Sequence, residues 1–329
     1  MLIQISEASQ TGEARRKAVA LADELGMEES RQGTVALATT EMATNLVKHA
    51  GKGHILVQRL QQNGNSGMRV VSVDQGPGIA DVSKALADGN STAGTMGNGL
   101  GAIRRLADSF DLYSVPGSGT VISAEFWQKK RVNPASGPLQ VAVISEPLRG
   151  EDVCGDGWGV RAMPGASILM VVDGLGHGIL AAEAAREAER ILAEAKTVSL
   201  RDILHDTHDT LKKTRGAAFA LAKIEWEKGL LSFIGIGNIS ASIVVAGSSR
   251  SMASYNGTVG HVMERAQEFT YPWNSNSVLV MHSDGLATRW NLDQYPGIWN
   301  KSPSTMAAVL QRDFYRGRDD VTVLVAKAA

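Results

Sequence analysis

Apolar positions in the first 130 residues recur at helical spacing and then at alternating spacing. Over residues 12–25 and 32–50 they return every three or four positions with few breakers, which predicts two helices. Residues 55–60, 69–73, 110–114 and 120–126 carry strand-like runs, several of them alternating, and a further helix is expected near 100–108. Helices followed by strands is not the regular alternation of a doubly wound fold, so a sheet with helices on one face is expected. Beyond residue 138, seven runs predict strands: 140–145, 167–172, 217–224, 230–236, 242–245, 277–281 and 321–326. A pair of helices, 179–195 and 200–213, lies among them. This combination suggests an αββα sandwich or another layered α+β fold. Between the two patterns, residues 128–138 are basic and then rich in Pro, Gly and Ser, the composition of a linker. Domains are therefore expected at about 1–130 and 138–329, joined by 131–137.

Composition narrows the function classes. The 329 residues are 43% hydrophobic and 20% charged, enough to build two ordinary cores. The formal net charge of −1 supplies no bulk attraction to nucleic acid or an anionic membrane, and neither is expected as partner. No apolar run is long enough for a membrane-spanning helix, and the amino terminus has neither the basic nor the apolar segment of a secretory signal. Cys154 is the only cysteine, which excludes an intrachain disulfide and fits a reducing cytoplasm, the expected location. Six residues separate it from Arg161, not the five of a cysteine-dependent phosphatase loop, so Cys154 is expected to be structural.

Three features of the first half suit a nucleotide. Glu41 and Asn45, four apart, share one helix face. A carboxamide oxygen can hold Mg²⁺, and a nearby carboxylate can accept a proton from an attacking hydroxyl. Asp74 ends a strand and opens Asp74-Gln-Gly-Pro-Gly78, where it can accept a hydrogen bond from an exocyclic amine, while Gly76 and Gly78 let backbone approach a planar base. Third, Gly94-Thr-Met-Gly-Asn-Gly-Leu-Gly101 opens a helix and can turn N–H groups toward phosphate. It is not a P-loop, because no Gly-Lys-Ser/Thr closes it, and no strand leads into it as a Rossmann turn requires.

In that order and spacing these motifs, with Gly119-Thr120, resemble the N, G1 and G2 boxes of the GHKL ATPase superfamily. The short lid is most similar to the switch-protein serine kinases and anti-sigma factors of bacterial stress signalling. The resemblance implies a GHKL (Bergerat) α/β sandwich in which Asn45 holds Mg²⁺ and Glu41 is the base. Asp74 would read adenine and Thr120 support the base pocket, with His49, Gly76, Gly78, Gly97, Gly99 and Gly101 completing the ATP site. Relatives phosphorylate Ser or Thr on a STAS-domain antagonist.

In the second half, Asp156, Asp173, Asp284 and Asp319 lie at ends of apolar strands or in tight Gly turns. Carboxylates so placed lose hydration unless a cation or hydrogen bonds compensate. No matching Lys or Arg motif accompanies them, which points to divalent metal with oxygen ligands. No His/Cys cluster has zinc spacing. The contexts Gly155-Asp156, Val171-Val-Asp-Gly-Leu-Gly-His-Gly178, Gly235-Ile-Gly-Asn238, Ser283-Asp-Gly285 and Asp319-Asp-Val-Thr-Val323 resemble the PPM (PP2C-type) phosphatases, in their SpoIIE-like branch. That resemblance implies a PP2C-like αββα sandwich. The four aspartates and the Gly174 carbonyl would ligate two Mn²⁺ or Mg²⁺ ions, which activate water against a phosphoserine or phosphothreonine. Asp152 and Asp320 are near-duplicates of Asp156 and Asp319 that register alone separates. Arg149 is the only Arg upstream near the first aspartate and has no assigned role. His177 is open between a turn and a supporting role.

The combined expectation is a bifunctional signalling protein that phosphorylates and dephosphorylates a STAS-domain switch protein. The alternative is a phosphatase regulated by an ATP-binding module that transfers nothing. A sigma factor and a second copy of the chain remain open as partners.

Overall fold

The computed structural model describes residues 1–62, 64–87, 99–129 and 139–329. Two compact units result, Met1–Pro134 with Pro296–Arg312, and Ala135–Tyr295 with Asp313–Ala329. The expected joint at 131–137 lies outside the described residues. By contacts, a segment near the carboxyl end, Pro296–Arg312, groups with the first unit.

The first unit runs β1 (Leu2–Ile5), α1 (Ala8–Glu24), α2 (Glu29–Asn45) and one π turn (Leu46–Ala50). Then come β2 (Gly53–Gln62), β3 (Asn65–Asp74), α3 (Val82–Leu86), α4 (Gly99–Leu106), β4 (Ser109–Ser114) and β5 (Thr120–Trp127). The antiparallel sheet has the order β1-β2-β3-β5-β4. A capping box between Glu7 and Gln10 starts α1. One face of the sheet carries Ile3, Ile55, Val57, Met68, Val70, Ile122 and Phe126, packed against Ala18, Leu21, Val35, Met42 and Ile103 of the helices. At about 1.5–3 kcal/mol for each large apolar side chain buried, this layer is what holds α2 flat on the sheet.

The second unit begins with β6 (Leu139–Glu146), β7 (Asp156–Met163) and β8 (Ala166–Gly174), followed by α5 (Ile179–Glu194) and α6 (Leu200–Leu211). Strands β9 (Ala217–Glu225), β10 (Leu230–Ile236), β11 (Ser240–Val245), β12 (Ser248–Ser251), β13 (Phe269–Pro272), β14 (Val278–His282) and β15 (Val321–Ala328) complete its sheets. They form two five-stranded antiparallel sheets, β13-β10-β9-β8-β7 and β12-β11-β14-β15-β6. Leu169, Val171, Ala220 and Phe233 of one sheet meet Val143, Leu279, Met281 and Leu324 of the other. On the outer face of the first, Ile168, Met170 and Phe219 pack against Ala184, Ala188 and Leu204 of α5 and α6. The alternation along β8 thus feeds two cores, inner and outer, as a central strand of a layered sandwich must.

Between β14 and β15 lies α7 (Pro303–Phe314), a helix that periodicity did not predict. Its residues Pro303–Arg312 are all buried, polar Ser304, Thr305, Gln311 and Arg312 included, so no apolar stripe marks it in the sequence. It packs in the first unit through polar contacts. Asp111 Oδ2 accepts from Ser302 N (2.8 Å) and Thr305 Oγ1 (2.7 Å), and the Ser123 and Ser304 hydroxyls lie 2.9 Å apart. Gln75 Nε2 donates to the Arg312 carbonyl at 3.2 Å.

Candidate active sites

In the first unit α2 delivers Glu41 and Asn45, one turn apart, and the helix changes to a π turn directly after Asn45. Single π turns of this kind often accompany functional sites. Gly99, at the start of α4, lies beside this pair. A Cβ there would lie 3.2 Å from Glu41 Oε2 and 3.7 Å from Asn45 Oδ1, which places the α4 backbone close to both side chains. The Asn45 amide nitrogen is buried without a partner among the described residues, a cost that a bound group could relieve. Gly101 is buried two positions further along α4, whereas Gly97 lies outside the described residues.

Asp74 ends β3 beside the neighbouring strand β5. Its Oδ1 accepts from Gly76 N (2.8 Å) and Thr120 N (3.1 Å), which fixes the carboxyl plane and leaves Oδ2 able to accept from a ligand. Burial pushes this carboxyl up, and the two N–H bonds with the charges of Arg312 and His49 oppose the rise. His49 is thus within electrostatic reach of Asp74. Gly78 (φ +70°) and Gly119 (φ +77°) are backbone requirements, since a Cβ would meet the Val115 and Asp74 carbonyl oxygens at 2.2 and 2.0 Å. At Gly76 a side chain would meet Ala50 at 2.8 Å. Thr120 Oγ1 lies 2.9 Å from Ser114 Oγ, which accepts from Ile79 N at 2.8 Å. Ser114, absent from the sequence reading, thereby ties the Gly78 turn to Thr120. A half-buried acceptor at the end of β3, with a carboxamide and a carboxylate on α2, has the chemistry to take a nucleobase amine at one end and a Mg²⁺-phosphate group at the other.

In the second unit the register of β7 on β8 sets Asp156 directly opposite Asp173. The second sheet supplies the other pair. Asp284 follows β14 and Asp319 precedes β15, and these strands pair with one another. Ser283 joins the two sheets. Its hydroxyl donates to Asp156 Oδ2 (2.6 Å) and accepts from Thr322 N (2.9 Å). Gly174 and Gly285 allow close packing, since a Cβ would lie 2.1 Å from the Ala181 oxygen and 1.9 Å from the Asp320 oxygen.

Burial, followed by the charges of Asp156, Asp284, Asp319 and Asp320, pushes the Asp173 carboxyl well up. The Asp156 carboxyl is raised as well, chiefly by burial, with the Ser283 hydrogen bond opposing. Among the described residues no three His, Cys, Asp or Glu side chains form a closed ligand group. Hydrogen bonds from Ser283 Oγ to Asp156 Oδ2 (2.6 Å) and from Asn238 Nδ2 to Asp284 Oδ2 (2.7 Å) occupy some of the carboxylate oxygens. The donor set nevertheless suits hard divalent cations, being all oxygen and short of positive charge.

Geometry separates the near-duplicates. Asp320 is spent on structure, Oδ1 accepting from Leu148 N (2.6 Å) and Oδ2 from Gly155 N (2.8 Å), while Asp152 is exposed. His177 Nδ1 pairs with Glu151 Oε1 at 2.6 Å on the surface. Burial pushes the Cys154 thiol far above its usual range, consistent with an inert side chain.

The two halves therefore define a class of protein, a GHKL-type ATP-binding fold joined to a PP2C-type phosphatase fold. Residues 5–126 match the histidine kinase-like ATPase domain family and residues 164–329 match the stage II sporulation protein E (SpoIIE) family. The chain belongs to the SpoIIE family through its second half and carries a histidine kinase-like ATPase domain in its first. The first half is similar to the serine/threonine-protein kinase RsbT of Bacillus subtilis, 41% identical over 114 residues, covering 35% of this chain and 86% of RsbT. The second is similar to the phosphoserine phosphatase RsbX of the same organism, 24% identical over 149 residues, covering 45% of this chain and 75% of RsbX. A chain solved in work on the bacterial stressosome superposes with a TM-score of 0.54 and 27% identity, covering 58% of this chain and all of that one. Kinase-like and phosphatase modules of partner-switching regulators are thus combined in one polypeptide. No helix among the described residues is long and apolar enough to cross a membrane.

Proposed function

We propose that the chain adds phosphate to, and removes it from, serine or threonine of a STAS-domain switch protein. The phosphatase half rests on one observation above others, two strand-end carboxylates facing across β7 and β8 with two more from the neighbouring sheet. Asp156, Asp173, Asp284, Asp319 and the Gly174 carbonyl would hold two Mn²⁺ or Mg²⁺ ions, which supply an activated water and neutralise phosphoryl charge. Ser283 keeps Asp156 oriented, and Asn238 does the same for Asp284. In the other half Asp74 and Thr120 would receive adenine, Asn45 would hold Mg²⁺ on the phosphates, and Glu41 would take the proton of the attacking hydroxyl. His49, Gly76, Gly78, Gly97, Gly99 and Gly101 would line that site. The test is phosphate-affinity gel analysis of a STAS-domain partner with ATP and Mg²⁺, then with Mn²⁺. Asn45→Ala is expected to abolish phosphorylation alone and Asp173→Ala dephosphorylation alone. No change in either variant would sink the reading.

The ATP site also supports a second reading, because the Asp74 and Asn45 geometry favours nucleotide binding rather than transfer as such. The first unit would then be a regulator of the phosphatase, with a sigma factor or a second copy of the chain as further partner. Tight binding of radiolabelled ATP without label on any partner would favour it.

A further inference from the structure

Strand β7 is the outermost of its sheet, paired with β8 along one side only. Trp158 N–H points away from β8 and donates to Glu189 Oε1 at 3.0 Å. Outward groups recur every second residue of an antiparallel pair, so Val160 and Ala162 also turn N–H and C=O groups away from β8. No acceptor among the described residues meets those two N–H groups. Open groups along an edge strand are a template for another extended chain.

A pocket borders the same edge. Helix α5 comes close to β7 because Gly157 and Gly159 carry no side chains, and a Cβ there would lie 2.8 Å from Glu189 Oε1 and 2.6 Å from Leu192 Cδ2. Arg161 Nη2 donates to the Ala195 carbonyl at 3.3 Å and ties the strand to the end of the helix. Trp158, Gly159, Val160, Glu189, Leu192 and Ala193 line a cavity of about 340 Å³. Trp158 and Val160 are 39% and 42% exposed. Glu189 is the one charged residue of the lining. Its Oε1 is held by Trp158 N–H, and the charge of Arg186 reaches it without an ion pair.

The groove leads to the aspartates. Asp156 begins β7, and its side chain shares a face with Trp158 and Val160, opposite the α5 face of Gly159. From Val160 to Asp156 is four residues, about 13 Å of extended chain. A paired residue opposite Gly159 would point to the Glu189 pocket, and one opposite Asp156, three positions along, would point to the aspartates.

We propose that the β7 edge docks the phosphorylated protein substrate by strand addition. An extended segment pairs with Val160 and Ala162 and lays a Lys or Arg along Leu192 and Ala193, its charge on Glu189. That basic residue stands three positions from the phosphoserine or phosphothreonine. The inference rests on the phosphatase reading above.

The test uses the full-length chain with Mn²⁺, p-nitrophenyl phosphate, and phosphoserine peptides that carry Lys or Ala three positions before or after the phosphoserine. In one of the two directions the Lys peptide is expected to show a KM about 2- to 5-fold below that of its Ala counterpart. Glu189→Gln, which keeps an acceptor for Trp158 N–H, should erase that difference. Val160→Pro removes an outward N–H and no bond to β8. It should raise the KM of the peptides relative to that of p-nitrophenyl phosphate by about 2- to 10-fold. If Lys and Ala peptides have equal KM in both directions and neither variant changes the peptide KM relative to p-nitrophenyl phosphate, the docking surface is overturned and the phosphatase reading stands. Hydrolysis of p-nitrophenyl phosphate without turnover of any peptide overturns it equally. If the wild type shows no Mn²⁺-dependent hydrolysis of either substrate, both fall.

Discussion

At Asp173 the proposed metal-binding role and the stability of the metal-free fold oppose one another. Burial and neighbouring carboxylates make its ionised form costly in the metal-free fold. Its folded pKa lies above the unfolded value of about 3.9. The stabilisation from its protonated form is therefore complete below that value and is lost as pH rises through the folded pKa. Asp173→Asn removes the charge and nearly preserves the shape. It is expected to raise the melting temperature of the metal-free protein, more at pH 8 than at pH 5, and to abolish the stabilisation that Mn²⁺ gives the wild type. Thermal melts at both pH values, with and without Mn²⁺, check this, and an unchanged or lowered metal-free melting temperature would refute it. The aspartates themselves were legible in the sequence as strand-end carboxylates without cationic partners. Ser283 was not, because nothing in Ser283-Asp284-Gly285 says that its hydroxyl reaches Asp156, 127 positions earlier.

Among the elements, α7 departs furthest from what the pattern predicted. A helix buried from Pro303 through Arg312 has no solvent-facing stripe to set a period, so its sequence resembles a short apolar segment with polar interruptions. Strand β7 escaped prediction too, because glycines at 157 and 159 replace side chains where Glu189 and Leu192 of α5 approach. The anchoring of α7 centres on Asp111. Burial opposes ionisation of this carboxyl, but hydrogen bonds from Ser302 and Thr305 and the charge of Lys301 outweigh it and hold it below the usual range. Its contribution to stability is therefore present above the unfolded pKa and is lost as pH falls through the folded one. Asp111→Ala is expected to cost about 1–3 kcal/mol, because the Ser302 and Thr305 donors lose their acceptor. The penalty relative to wild type should stay constant from pH 7 down to about pH 5 and shrink as pH falls below about 4. Urea titrations at about pH 7 and about pH 3 would measure it, and a pH-independent difference would count against Asp111 as the anchor.

At the scale of the whole molecule, chain order and structural units do not coincide. A first unit that takes up Pro296–Arg312 cannot be cut cleanly from the rest of the chain. A fragment ending at residue 129 is expected to melt below the corresponding transition of the full chain, having lost the partners of Asp111, Ser123 and Gln75. A peptide spanning 296–312, added in trans, should restore part of the difference. Equal melting temperatures for fragment and full chain would refute the dependence. Two opposed phosphate chemistries in one polypeptide would also consume ATP to no effect, so partner binding or separate substrates must decide which acts. What the sequence set out alone is the candidate residues and their order, Glu41 to Thr120 for the proposed nucleotide site and Asp156 to Asp319 for the proposed metal site. These motifs lie within short contiguous segments, where strand, turn and helix signals are local. Only the tertiary structure decided that Asp156 faces Asp173, that Asp320 is spent on backbone N–H groups, and that α7 belongs with the first unit. Each of those depends on strand register and long-range packing, which bring together residues that are distant in the chain.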